Sequence, residues 1–230
     1  MSAPILAFAM CFAGVFCLTP LSAYLMWLAG LNRRMTPTVL SGLSDFLALI
    51  AGLSGFLIFG SLLAITALQS NARYWARGNF EQLRTAWQQE KWIWLGVAVG
   101  YVALVLFAVI VGAWRRNRVL SVYAVDLDSV IATLDSEMER FSPATKRTGY
   151  SWGNLLRIEP FNGMGHVVVR ITTTDRSQAD ELDRLLRNAL PHALPAAHTS
   201  AGWFHSAAVC SGIGALGSLV LVFLYMWFFR

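Results

Sequence analysis

Charge is what this sequence has least of. Only 13% of its 230 residues are Asp, Glu, Lys or Arg, against about 25% in soluble domains, and the mean hydropathy is +0.53. So few charges cannot cover a water-facing surface along the whole chain, which excludes an ordinary soluble enzyme and a disordered tail protein. Cysteine is scarce as well. Cys11, Cys17 and Cys210 all lie in apolar runs, and their number and placement exclude a disulfide scaffold and an aqueous zinc cluster. The histidines His166, His192, His198 and His205 lie outside the apolar runs or at the entry to the last, so no pair is placed to ligate a haem between membrane helices. Lysine is nearly missing, with two beside sixteen arginines, a bias that points to a GC-rich bacterial genome.

The 31 charges that are present leave four gaps, at 1–32, 46–72, 92–114 and 188–229. Each gap exceeds the roughly 20 residues that cross a hydrocarbon core of about 30 Å at 1.5 Å per residue. Four transmembrane helices are therefore expected, over Pro4–Gly30, Leu43–Leu68, Trp92–Trp114 and His205–Phe229. Pro20 lies inside the first and should kink it. Trp27, Trp92, Trp94, Trp114, Trp203, Tyr225 and Trp227 sit near the ends, where an amphipathic ring meets the headgroups. The start, Met1-Ser2-Ala3, carries no basic side chain and its apolar run is too long for a signal peptide, so it is expected to remain as a helix.

Basic residues close to helix ends set orientation. Arg33 and Arg34 follow the first span, and Arg115, Arg116 and Arg118 follow the third. Both clusters fall on one side, taken as the cytoplasm of a bacterial inner membrane. Arg73, Arg77, Arg84 and Lys91 oppose this, but they are dispersed and mixed with Glu81 and Glu90. In that second loop, Trp75, Phe80, Leu83 and Trp87 recur at helical spacing. They fit either a short interfacial helix or a polar hairpin whose aromatics pack on helix ends.

Residues 115–204 hold 11 basic and 10 acidic side chains and are composed like a soluble domain. The chain thus divides into 1–114 with three spans, 115–204 as a soluble α+β domain with a linker, and 205–230 as the fourth span. Val119–Val125 is rich in β-branched and aromatic residues and reads as a strand. Val130, Ile131, Leu134, Met138 and Phe141 then share a helix face, with Asp126 or Asp128 as cap and Pro143 as stop. Leu155–Phe161 and His166–Thr173 flank Asn162-Gly163-Met164-Gly165, a hairpin signal. A second helix opens at Asp175, buries Ala179, Leu182, Leu185, Leu186 and Ala189, and stops at Pro191. The order β-α-β-β-α describes a split ferredoxin-like unit lacking its last strand, or a three-stranded sheet with two helices on one face. Either form leaves a sheet edge exposed, for a second copy or a partner to cover.

The stretch Val122-Tyr123-Ala124-Val125-Asp126-Leu127-Asp128-Ser129-Val130 runs from an apolar strand into DxDxV and resembles the first motif of haloacid dehalogenase-like phosphatases. That resemblance implies Asp126 as nucleophile, Asp128 as acid/base and a magnesium ion, with Thr172–Thr174 and Lys146 as companions. It covers about ten residues; the family's larger doubly wound sheet and further acidic pair are not present, and capping also predicts an aspartate there. Arg187 and His192 have the R-x4-H spacing of HEPN-type ribonucleases, yet Pro191 breaks the helix between them. No cofactor or metal is implied by the capping reading, and the near-neutral domain carries no basic stripe for nucleic acid.

Small residues recur at helical spacing on the spans. Gly96 and Gly100 form a GxxxG in span three; Ser211, Gly214 and Ser218 make a stripe on span four; Ser44, Ala48 and Gly55 do so on span two. These faces bring helices close, within the bundle or between subunits. Intramembrane charge is almost absent; Asp45, about a turn inside span two, suits the positive end of a helix dipole. The expectation is a non-enzymatic accessory or scaffolding subunit of a membrane complex, with lipid and partner subunits or a second copy as partners. The alternatives are a membrane-tethered phosphohydrolase using Asp126 and Asp128, or a small oligomeric transporter or channel.

Overall fold

A computed structural model describes residues 3–60, 80–161, 165–195 and 199–228. Four helices are long and apolar enough to cross a bilayer, with spans at Met10–Asn32, Gly42–Phe59, Leu95–Arg115 and Ala201–Phe228. They belong to helices α1 (Ala3–Asn32), α2 (Gly42–Gly55, continued by a π-helical turn Phe56–Gly60), α3 (Phe80–Arg115) and the last helix, α6 (Thr199–Phe228). The chain is therefore a multi-pass membrane protein. Phe80, Leu83 and Trp87 lie on the N-terminal extension of α3 rather than on a separate helix, because no breaker interrupts the run into the third span. Trp75 lies outside the described residues.

The contacts sort into two units. The first comprises Met1–Tyr24, Ile50–Val111 and Ala207–Arg230, and its helices meet at glycines. A Cβ on Gly55 would overlap the Phe16 carbonyl, and one on Gly14 would come within 2.7 Å of Ser218 Oγ. Gly212 and Gly214 similarly face Ser22 and Leu18, and Ser22 Oγ donates to the Ala208 carbonyl at 2.9 Å. Tyr101 OH on α3 donates to the Leu57 carbonyl at 2.6 Å, inside the π-helical turn.

The second unit joins Leu25–Leu49 to Gly112–Ser206. Its elements are β1 (Thr38–Ser41), β2 (Val119–Tyr123), α4 (Leu127–Phe141), β3 (Arg147–Thr148), β4 (Ser151–Trp152), β5 (Leu156–Phe161), β6 (His166–Ile171), α5 (Arg176–Ala189) and a 3₁₀ turn at Leu190–His192. All strand pairs are antiparallel, in the order β1-β2-β6-β5-β4-β3. Leu120 and Val122 of β2, Val167, Val169 and Ile171 of β6, and Leu156 and Ile158 of β5 turn one sheet face onto Val130, Leu134 and Met138 of α4 and Ala179, Leu182 and Leu186 of α5. Asp126 caps α4 by accepting from Ser129 N at 3.1 Å, and Asp175 caps α5 by accepting from Ser177 N at 3.0 Å.

The sheet is larger than the three strands the periodicity predicts. β3 and β4 have two residues each, too short for an alternation to register, and are held by a tertiary contact instead. Asp135 of α4 accepts from Trp152 Nε1 at 2.9 Å and pairs with Arg147 Nε at 3.3 Å. The edge beside β2 is occupied, where an exposed sheet edge was one expectation: β1, from the connection after the first span, pairs along it from Thr38↔Tyr123 to Ser41↔Leu120. The β5 edge is partly covered by β4, and Pro160 there has no N–H to offer a further strand. Residues 162–164 of the expected hairpin turn lie outside the described set; β5 and β6 pair up to Phe161↔His166, and Gly165 has φ +57.

Candidate functional site

β2 is buried on both faces, and the face turned away from α4 and α5 is polar at alternate positions. Ser121 Oγ and Tyr123 OH both donate to Asp45, at 2.8 and 2.6 Å. Asp45 stands in the first turn of α2, is 6% exposed, and has Arg116 Nη1 at 4.0 Å. The carboxylate thus fastens the start of a membrane helix to the strand, and also lies at the favourable end of its helix dipole. Gly42 admits the approach, since a Cβ there would come within 2.8 Å of Val119. The Tyr123 ring stacks on His166 with centroids 4.3 Å apart, and Phe161 stacks on the other side of the cluster at 5.2 Å from His166. Burial holds the His166 imidazole down at about 4; the Asp45 charge opposes that shift and Arg116 reinforces it. Its Nε2 is buried without a hydrogen-bond partner among the described residues.

The sequence offered two hints of this cluster. Ser121 and Tyr123 are hydroxyls two residues apart on an otherwise apolar strand, and Asp45 is the lone carboxylate inside an expected span. Their pairing could not be read, because 76 and 78 residues separate them.

A second site lies where α3 leaves the apolar run. A pocket of about 670 Å³ is lined by Trp114 and Arg115 at the end of that helix, by Arg118 in the turn before β2, by Arg170 on β6, and by Arg176, Asp180, Asp183 and Arg187 on α5. The α5 residues fall at i, i+4, i+7 and i+11, on one helix face that flanks the buried face of Ala179, Leu182 and Leu186. Five arginines against two aspartates make the lining positive. Three of them have partners: Arg187 Nε pairs with Asp183 at 2.7 Å, Arg170 with Glu159 at 3.5 Å, and Arg118 Nη1 donates to the Thr173 carbonyl at 2.9 Å. Arg115 and Arg176 make no ion pair or side-chain hydrogen bond with the described residues. Trp114 is 80% exposed.

The residues singled out for phosphohydrolase chemistry are placed apart. Asp126 caps α4, its N–H donating to the Leu194 carbonyl at 3.0 Å, while Asp128 is exposed in the first turn. Because β6 runs antiparallel to β2, with Val119↔Arg170 and Tyr123↔His166, Thr172–Thr174 leave the sheet at the end opposite Asp126. Thr172 and Thr173 are bonded there to the Asn154 carbonyl and to Gln178, and with Thr174 line a separate groove of about 880 Å³ beside β4 and β5. Among the described residues no three of His, Cys, Asp or Glu converge as a metal site.

The small-residue faces divide. Gly55 of span two and Gly214 and Ser218 of span four lie against other helices of the first unit, and Ser211 Oγ donates within α6 to the Ala207 carbonyl. Ala48 is half-buried, and Ser44 is exposed and bonded to Ser41. Gly96 and Gly100 differ: no described residue lies within 4 Å of a Cβ built on either. No protein family, no curated protein and no solved structure matches this chain.

Proposed function

We propose that this chain is a non-enzymatic accessory or scaffolding subunit of a membrane protein complex, with span three as its partner-facing helix and the α+β domain docking a soluble component. The observation that carries the reading is the contrast among glycines. Gly14, Gly52, Gly55, Gly212 and Gly214 on spans one, two and four meet neighbouring helices, whereas no described residue lies within 4 Å of a Cβ on either glycine of the span-three GxxxG. Gly30, Gly202 and Gly217 are likewise open but belong to no such motif, Gly112 later in span three meets Phe46, and no described residue of Leu95–Arg115 is buried. Lipid supplies no hydrophobic reason for a close-packing motif on a lipid-facing surface, so a second helix is its natural occupant. We read the domain as split ferredoxin-like, with β1 standing in the position of the missing fourth strand beside β2. The basic clusters after spans one and three favour the cytoplasm of a bacterial inner membrane for this domain.

The test is native extraction in a mild detergent followed by mass measurement of the intact particle. Wild type is expected to leave the membrane with a stoichiometric partner or a second copy, and Gly96→Leu with Gly100→Leu to release it. A monodisperse monomer from the native source, unchanged by these substitutions, sinks the proposal.

A further inference from the structure

The arginine-lined pocket has a positive lining with no function in the scaffolding reading, and its composition names a ligand class. We propose that it holds the phosphate of an anionic phospholipid headgroup. A guanidinium presents a planar fork that pairs with phosphate oxygens through two parallel hydrogen bonds, and is less strongly hydrated than an ammonium. Arg115 and Arg176 keep that fork uncommitted among the described residues, while Arg187, Arg170 and Arg118 are held in place by Asp183, Glu159 and the Thr173 carbonyl. The pocket starts at the last residues of the apolar run Leu95–Arg115, and its first wall is the exposed indole of Trp114, the ring type that settles at headgroup depth. A lipid phosphate is therefore the anion supplied at this height on the chain, at high local concentration and already oriented. At about 670 Å³ the pocket lies within the usual range for small-molecule sites of about 300–1,000 Å³. Asp180 remains as the opposing charge, so the lining stays positive yet is open to tuning in either direction.

The full chain, purified in a neutral detergent, is titrated with phosphatidylglycerol or phosphatidylcholine, and bound lipid is counted by native mass spectrometry. Phosphatidylglycerol should be retained over phosphatidylcholine by on the order of tenfold. The exposed double substitution Arg115→Gln with Arg176→Gln should remove most of that preference, since each juxtamembrane arginine contributes about a fivefold factor. Asp180→Asn should act with the opposite sign and tighten phosphatidylglycerol retention severalfold, which keeps the test valid if the double variant folds poorly. Equal retention of the two lipids, or no change in either variant, overturns the proposal. Displacement of phosphatidylglycerol by equimolar inorganic phosphate overturns the lipid source in favour of a soluble phosphate. None of these outcomes depends on the Gly96 and Gly100 face.

Discussion

His166 stacks between Tyr123 and Phe161 with a buried, unpartnered Nε2, and this makes it a proton-sensitive element of the domain. Burial first, then Arg116, depress its folded pKa from 6.5 to about 4, with Asp45 pulling the other way. A depressed histidine pKa means that the unfolded chain binds the extra proton first. Stability should therefore be full above pH 6.5, fall as the pH drops toward 4, and level off below it. At about 1.4 kcal/mol per pH unit the whole effect is roughly 3 kcal/mol. Thermal melting of the purified protein between pH 7.5 and 4 checks this, with His166→Phe as the control that keeps the stack and loses the titration. A wild-type curve parallel to that of His166→Phe would remove His166 as the cause. Much of this cluster was visible only as fragments in the sequence. Ser121 and Tyr123 alternate as hydroxyls along an apolar strand, and Asp45 is conspicuous in an uncharged span, but a hydrogen bond across 76 residues follows from the fold and not from local pattern.

Among the elements, α1 and α2 show how a defect in one helix is matched by a feature of the next. Pro20 has no N–H for the Phe16 carbonyl four residues back, and that same carbonyl is the atom a Cβ on Gly55 would overlap. The glycine lets the α2 backbone reach the freed oxygen, and the helix then widens into the π-helical turn Phe56–Gly60, whose Leu57 carbonyl takes the hydroxyl of Tyr101. Gly55→Leu should therefore separate α1 from α2 and destabilise the membrane unit by at least about 1–3 kcal/mol, measured by denaturant titration in detergent. Gly100→Leu, on a face that no described residue covers, should leave the stability of the isolated chain unchanged. If both variants unfold alike, the distinction between filled and open glycines fails. Spacing makes such small-residue faces legible in a sequence but does not say toward what they point; Gly55 and Gly100 look the same on paper. Helices α4 and α5 were legible because their apolar residues recur over four turns and aspartates cap them. The four-residue β1 and two-residue β3 and β4 were not, since a run that short carries no period, although Pro37 and Gly42 bracket Thr38–Ser41 as punctuation.

For the molecule as a whole, the sheet is assembled from two stretches of chain that two membrane spans separate. β1 follows span one and β2 follows span three, and their antiparallel register requires the two connections to lie on the same side of the bilayer. The basic clusters Arg33–Arg34 and Arg115–Arg118 reach the same conclusion by independent physics. It follows that the domain cannot be completed by residues 115–204 alone. A fragment covering 116–195 would present the β2 edge bare from Val119 to Tyr123 and leave the Ser121 and Tyr123 hydroxyls without the Asp45 carboxylate. Unpaired strand edges recruit other strands, so this fragment should self-associate in a concentration-dependent way. Adding a peptide of residues 36–46, which carries both β1 and Asp45, should return it to a monomer and raise its melting temperature. The same peptide with Asp45→Ala should do so less well, because it restores the ladder without the charged acceptor, a difference on the order of 2–3 kcal/mol. Light scattering and thermal melting of the three mixtures decide the matter. A fragment already monomeric and equally stable without the peptide would make β1 a passenger on the sheet; recovery only with the intact peptide would show that the soluble domain is finished by the membrane-anchored part of the chain, and so folds only after span three has been inserted.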